Sequence, residues 1–296
     1  MRTYAFVTVD VFTDRRFGGN PLAVFPDAAG MSDAEMQSLA AEFNLSETTF
    51  VLPPENPAHP ARVRIFTRTR EMPFAGHPNV GTAYVLAQQG RDRGGKLLFE
   101  ELAGLVEIDV ERDGSGAPTG ATIAAPQPLS LGPELPVETI AACAGLQPAD
   151  IRLGAHRPVA ASLGNPFVIA EVEAAALSRA TPDVASFRQA VEAVPALEGR
   201  LGLYLYAHDA RGSAQARMFA PLGGTFEDAA TGSAAGPLGA LLLSLSTDPE
   251  LRLDIQQGVV MGRPSLLRVV ARRGADGIRA TIAGQCVPVL RGEAQL

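Results

Sequence analysis

Gly19-Asn20-Pro21-Leu22-Ala23-Val24 is echoed by Gly164-Asn165-Pro166-Phe167-Val168-Ile169, at an offset of 145 residues. Arg64-Ile65-Phe66 returns as Arg217-Met218-Phe219 at an offset of 153. Ala121-Thr122-Ile123-Ala124 recurs unchanged as Ala280-Thr281-Ile282-Ala283 at an offset of 159. The echoes keep their order while the offset drifts slowly, as small insertions in one of two copies would make it do. A period this long means two homologous lobes, because solenoid repeats run ~20–50 residues.

Each lobe reads the same way: a strand, a Gly-Asn-Pro turn into a second strand, then an amphipathic helix. In the first lobe that helix starts at Ser32, where Glu35 completes a capping box and Met36, Leu39, Ala40 and Phe43 make an i, i+3, i+4, i+7 stripe. Its weaker counterpart is Phe187 to Val194. Strands follow at Thr48 to Leu52 and Leu201 to Tyr206, then the Arg-x-Phe strand, a Gly-rich loop and an apolar helix. Alternating strands finish each lobe, Leu105 to Val110 and Gly120 to Ala124 in the first, Leu266 to Val270 and Ile278 to Ile282 in the second. Asp113-Gly114 and Asp276-Gly277 supply hairpin signals. The expected class is α+β, with two pseudo-symmetric lobes, each a curled, mostly antiparallel sheet around a central apolar helix. The lobes are placed at residues 1–127, completed by about 283–296, and 128–282, with the Pro-rich stretch Pro126 to Pro136 as linker.

Composition narrows the chemistry. Of 296 residues 25 are Lys or Arg and 32 Asp or Glu, and the net charge of −7 argues against nucleic acid or an acidic membrane as partner. Lys96 is the only lysine, so Schiff-base chemistry or a P-loop would have to rest on a turn-like Arg-Gly-Gly-Lys stretch. Cys143 and Cys286 have no Cys-x-x-Cys partner, and no two of the four histidines share a metal-ligand spacing on a helix. These features read as a reduced cytoplasmic protein without zinc or disulfides. Met1 to Phe6 run into Asp10 with no signal-peptide core, and Ala234 to Leu243, the longest apolar run, is too short to span a bilayer.

The two loop-to-helix junctions, Pro73-Phe74-Ala75-Gly76-His77-Pro78 and Glu227-Asp228-Ala229-Ala230-Thr231-Gly232-Ser233, are where chemistry is expected. A helix N-terminus carries unpaired N–H groups and partial positive charge, and glycine lets an anion come close. Packing of a buried helix against its sheet also calls for small residues, but His77, Asp228 and Ser233 stand polar at matched places. Pro78 at the first helical position would hold His77 at the N-cap, where the neutral imidazole is favoured. Asp228 is the acidic candidate, with Glu227 a rival that spacing does not separate from it. Ser233 is not in a Gly-x-Ser-x-Gly elbow and is no candidate for acyl transfer. Glu47, in Leu45-Ser46-Glu47-Thr48-Thr49, shares a strand face with Thr49 and Val51, while Phe50 and Leu52 occupy the other. An acid on a partly apolar face suits general acid–base work, though which face points inward stays open.

Together, Leu45-Ser46-Glu47-Thr48, Arg64-Ile65-Phe66-Thr67 leading to Phe74-Ala75-Gly76-His77-Pro78, Asp228-Ala229-Ala230-Thr231-Gly232-Ser233-Ala234 and the opening Val9-Asp10-Val11-Phe12-Thr13 resemble the PhzF-like isomerases of phenazine biosynthesis. The resemblance runs from about residue 4 to about residue 290. It implies the diaminopimelate-epimerase-like fold, a homodimer, a site between the lobes and proton migration without a cofactor. On that basis Glu47 would carry the proton, and His77 and Asp228 would move or hold it. Ala75, Gly76, Thr231, Gly232 and Ser233 would bind a small carboxylated, amino-acid-like or cyclic substrate. The related epimerases use one cysteine per lobe, and neither junction here has one, which disfavours two-thiol racemisation. Arg68 and Ala229 stand where the family often has proline. An epimerase or racemase with non-thiol bases, and a metabolite-binding protein that kept the fold, are the alternative readings.

Overall fold

A computed structural model of the chain describes residues 1–209 and 212–296. The chain is a sheet-rich mixed α/β protein and divides into two compact units, Met1–Ala124 with Ala283–Leu296, and Ala125–Ile282.

The first unit runs β1 (Thr3–Val11), β2 (Asn20–Phe25), α1 (Asp33–Phe43), β3 (Thr48–Leu52), β4 (Ala61–Phe66), β5 (Glu71–Met72), α2 (Gly76–Gln88), β6 (Lys96–Glu101), β7 (Gly104–Arg112) and β8 (Pro118–Ala124). Strand β2 is parallel to β3 and β4 to β6, whereas β1–β2, β3–β4, β4–β5, β6–β7 and β7–β8 are antiparallel. Parallel neighbours need a crossover, and α1 and α2 supply the two crossovers. The sheet is therefore covered on both faces. On one, Phe25, Phe50 and Phe66 meet Met36 and Ala40 of α1, with Phe25 and Phe50 stacked at 5.0 Å. On the other lies α2, buried at every position from Gly76 to Ala87. Its approach is close: a Cβ on Gly81 would stand 2.6 Å from Leu22 and 2.8 Å from Val11. The start of α1 follows from local chemistry, since Ser32 caps the N–H of Glu35 and Glu35 returns a bond to the N–H of Ser32.

The second unit runs β9 (Ser130–Glu134), α3 (Val137–Ala144), β10 (Ile151–Arg152), β11 (Val159–Ser162), β12 (Pro166–Val172), α4 (Ala174–Arg179), α5 (Val184–Ala193), β13 (Leu203–His208), β14 (Ala214–Ala220), β15 (Thr225–Asp228), α6 (Gly232–Ser244), β16 (Glu250–Gln257) and β17 (Ser265–Gly274). Here β12 and β13 are parallel across α4 and α5, and β14 and β16 are parallel across α6. A last strand, β18 (Gly277–Gln295), ends the chain, and its residues 286–295 pair with β1.

Several elements differ from the sequence reading. The Pro-rich stretch read as a linker holds strand β9, which pairs with β11. Proline is tolerated there because Pro133 falls at the register irregularity between the pairs Leu131–Ala161 and Glu134–Val159. The helix expected at Phe187 begins earlier, at Val184, because Asp183 accepts the Ser186 N–H at 2.9 Å and caps it. Helices α3 and α4 carry too few residues for a readable stripe. The Asp113-Gly114 signal closes a five-residue loop rather than a tight turn, the Asp113 carboxylate accepting from the N–H groups of Ser115 and Ala117. No helix among the described residues is long and apolar enough to cross a membrane.

Candidate active site

Glu47 stands immediately before β3 rather than within it. Both faces of β3 are buried, which is why alternation alone left the facing of Glu47 open. Phe50 points to the α1 side, whereas the Thr49 hydroxyl meets that of Thr82 in α2 at 2.8 Å. Glu47 continues the Thr49 side, toward α2. Its Oε2 lies 3.4 Å from Nδ1 of His77.

Helix α2 begins at Gly76, with Ala75 as its N-cap residue, so His77 is the second helical residue and not the cap. Pro78 is the third, a place proline tolerates because the N–H groups of the first turn have no intrahelical acceptor. No side chain caps this end. Burial pushes the His77 imidazole down to about 3, opposed in part by the Pro21 carbonyl, so the ring is neutral at physiological pH. Its Nε2 is buried and without a hydrogen-bond partner.

In the second unit, Arg217 forks onto Glu227 at 2.7 and 2.8 Å and donates from Nη1 to the carbonyls of Leu177 and Ala180. Glu227 is thus committed to a buried ion pair. Asp228, next along β15, points elsewhere: its Oδ2 accepts the Thr231 hydroxyl at 2.6 Å. Asp228 does not cap α6. Thr231 is the N-cap residue, again without a side-chain cap bond, and Gly232 and Ser233 open the helix as Gly76 and His77 open α2.

The profile of the family described as "Phenazine biosynthesis-like protein" (PhzC-PhzF) matches residues 9–292.

The chain belongs to the phenazine biosynthesis-like family.

It is 39% identical to an uncharacterised isomerase of Mesorhizobium japonicum, covering 99% of each chain. It is 36% identical to trans-2,3-dihydro-3-hydroxyanthranilate isomerase of Pseudomonas aeruginosa, covering 99% of this chain and 100% of that one. Among solved structures, a PhzF-family phenazine biosynthesis protein of Bacillus anthracis superposes with a TM-score of 0.89 at 27% identity, over 100% of both chains. As a member of this family the chain is an enzyme, an isomerase.

One group of residues at the second junction escaped the sequence reading. Gln257 donates from Nε2 to the Asp228 carbonyl (2.9 Å) and the Thr231 hydroxyl (3.0 Å), and its Oε1 accepts from the Thr231 N–H (3.2 Å) and the Tyr204 hydroxyl (3.1 Å). Ser265 donates to the Ala229 carbonyl at 2.9 Å. Between them Gly258 has φ +72, and a Cβ there would stand 2.6 Å from the Ala229 carbonyl oxygen and collide with that of Arg263. The signal that could have found this group is Gln257-Gly258 followed by Gly262-Arg263-Pro264-Ser265, a Gly/Pro-marked turn flanked by polar residues. Both cysteines are buried, free and lie outside the junctions. Burial, chiefly, pushes the Cys143 thiol up to about 12 and raises that of Cys286, so neither is a thiolate base.

Proposed function

We propose that the enzyme moves a proton between two carbons of a small carboxylated, cyclic or amino-acid-like metabolite, with Glu47 as the single base and acid. The observation that carries this reading is a carboxylate beside a neutral imidazole at an uncapped helix start. A charged imidazolium at that distance would hold the carboxylate ionised and weaken it as a base; a neutral ring leaves its basicity intact. Glu47 takes a proton from a C–H bond, and the electron pair left behind shifts the double bond. The same carboxyl, whose acid proton exchanges with solvent between the two steps, then protonates a second carbon, so no electrons are gained or lost. The Gly76 and His77 N–H groups, which have no intrahelical acceptor, suit the substrate carboxylate or the negative charge of the intermediate.

In this reading Asp228 assists proton handling, and Ala75, Thr231, Gly232 and Ser233 contribute to substrate binding. Glu227 is set aside because Arg217 engages both of its oxygens. The enzyme is taken as cofactor-free, cytoplasmic and homodimeric. Its units are taken as copies of one lobe, on the matched order of parallel pairs and crossover helices. The test uses trans-2,3-dihydro-3-hydroxyanthranilate, the compound named for the Pseudomonas aeruginosa relative, with the purified protein in deuterated water. Isomerised product carrying solvent deuterium at the receiving carbon is the expected result. Inversion at one carbon without double-bond migration would overturn the reading in favour of an epimerase.

A further inference from the structure

Around the loop before α6, three strands of the second unit bring polar side chains to one face of the sheet. Tyr204 of β13 pairs with Met218 of β14, and Met218 pairs with Asp228, the last residue of β15. The edge of β14 away from β13 is shared, because Ala216 pairs there with Gln257, the last residue of β16. Paired residues, and residues two apart along a strand, share a face, so the side chains of Tyr204, Asp228 and Gln257 lie together. Tyr204 and Gln257 are fully buried. In the first unit Thr49 takes the matched place, opposite Ile65 as Tyr204 is opposite Met218. The Thr49 hydroxyl meets Thr82 of the neighbouring helix, whereas the longer Tyr204 side chain carries its hydroxyl to Gln257, 3.1 Å away.

The hydrogen bonds of this group have only one consistent set of directions. The Thr231 N–H donates and the Asp228 carbonyl accepts, so these two backbone groups fix which end of the Gln257 amide is oxygen and which nitrogen. Tyr204, beside the amide oxygen, must therefore donate its O–H. The amide nitrogen also donates to the Thr231 hydroxyl at 3.0 Å, which leaves the one proton of that hydroxyl for Oδ2 of Asp228 at 2.6 Å. Burial, with the charge of Asp228 adding to it, raises the Tyr204 phenol above the ordinary tyrosine range, so its donor proton is retained. Rotating the Thr231 hydroxyl away from Asp228 would set its proton against the amide donor, an arrangement that burial penalises.

We propose that Tyr204 is a positioning residue of the isomerase, bracing the Gln257 amide so that Thr231 presents its hydroxyl to Asp228 and holds that carboxylate in one orientation. The proposal rests on the reading above that places Thr231 and Asp228 in the site. Tyr204, fully buried, acts only through Gln257 and Thr231.

The first test is independent of catalysis and follows the side-chain amide resonances of Gln257 in the full-length protein. After transfer to deuterated water these protons should exchange slowly in the wild type, because the amide nitrogen is bonded to two acceptors in a buried place. Tyr204→Phe removes only the hydroxyl. It should speed that exchange by at least about tenfold while the backbone amides of β13 and β16 keep their protection. Fast exchange in the wild type, or unchanged exchange in the variant, overturns the proposal. Loss of backbone protection as well would show a general loosening of the sheet and equally overturns it. The second test is a double-mutant cycle in the isomerase assay. Tyr204→Phe should lower kcat/KM by about fivefold in the wild-type background. In Thr231→Val, which lacks the linking hydroxyl, it should have no further effect. Effects that multiply would give Tyr204 another route to the site and contradict the proposal. If Glu47→Gln remains fully active, the proton-transfer reading fails, while the amide exchange still decides whether Tyr204 braces Gln257.

Discussion

In the first unit Arg64 forks onto Glu71 at 2.7 and 2.6 Å, its guanidinium over Phe66; in the second Arg217 forks onto Glu227 at 2.7 and 2.8 Å, over Phe219. The residue after each glutamate takes the same place in its strand pair, Met72 opposite Ile65 and Asp228 opposite Met218. The two junctions share this frame and differ in what fills it. At the first, Glu47 and a neutral His77 meet at the helix start. At the second, Asp228, Thr231 and Gln257 satisfy one another, and Ser265 donates to the Ala229 carbonyl. In the proposed reading the repeated ion pair is scaffolding, and the chemistry resides where the two junctions differ. The same contrast explains why, of two adjacent acids, Glu227 belongs to the frame and Asp228 to the filling.

The frame can be broken most severely at Arg217. Its side chain is 8% exposed and serves a carboxylate and two carbonyls, so Arg217→Ala should cost about 3–5 kcal/mol in urea unfolding. Arg64→Ala should cost clearly less, because part of its pairing is to Asp33, whose side chain is 82% exposed. Equal losses would mean that the two frames are energetically alike despite their different surroundings.

A smaller effect distinguishes the fillings by pH. The His77 value in the folded protein lies below that of the unfolded chain, so between about 6.5 and about 3 the unfolded state binds the extra proton. Stability from the neutral ring is therefore complete above the upper value and is lost as pH falls through the window, by up to about 1.4 kcal/mol per pH unit. His77→Gln should flatten this part of the stability curve. Ser233→Ala, at the corresponding helical position of the second unit, should leave its slope unchanged. A slope that survives in His77→Gln would remove the neutral imidazole from the account.

The mildest intervention is Gln257→Leu, which deletes the polar hub of the second junction. It should destabilise the protein by about 1–3 kcal/mol and raise KM more than it lowers kcat, because Thr231 and the turn before α6 lose their support. An effect confined to kcat would instead place Gln257 in the chemical step.

What the sequence made legible was local or periodic. Ser32 and Glu35 announce α1 because a capping box lies within four residues. The Arg-x-Phe echo marks two matched strands because its spacing survived. The start of α2 was read two residues late, since Pro78 suits the first helical position as well as the third. The facing of Glu47 was hidden because β3 is buried on both sides, which erases the alternation that would reveal an inner face. Gln257 was missed because its partners are 26 to 53 residues away in sequence and no local pattern records a bond across that distance.

The central claim is that one carboxylate, Glu47, carries the proton. Its most direct test is solvent deuterium incorporation by Glu47→Gln, a change that keeps shape and hydrogen-bonding capacity while removing the base. With trans-2,3-dihydro-3-hydroxyanthranilate as substrate and unchanged folding by circular dichroism, incorporation should drop by at least about a thousandfold. Incorporation at the wild-type rate would contradict the account and require another base.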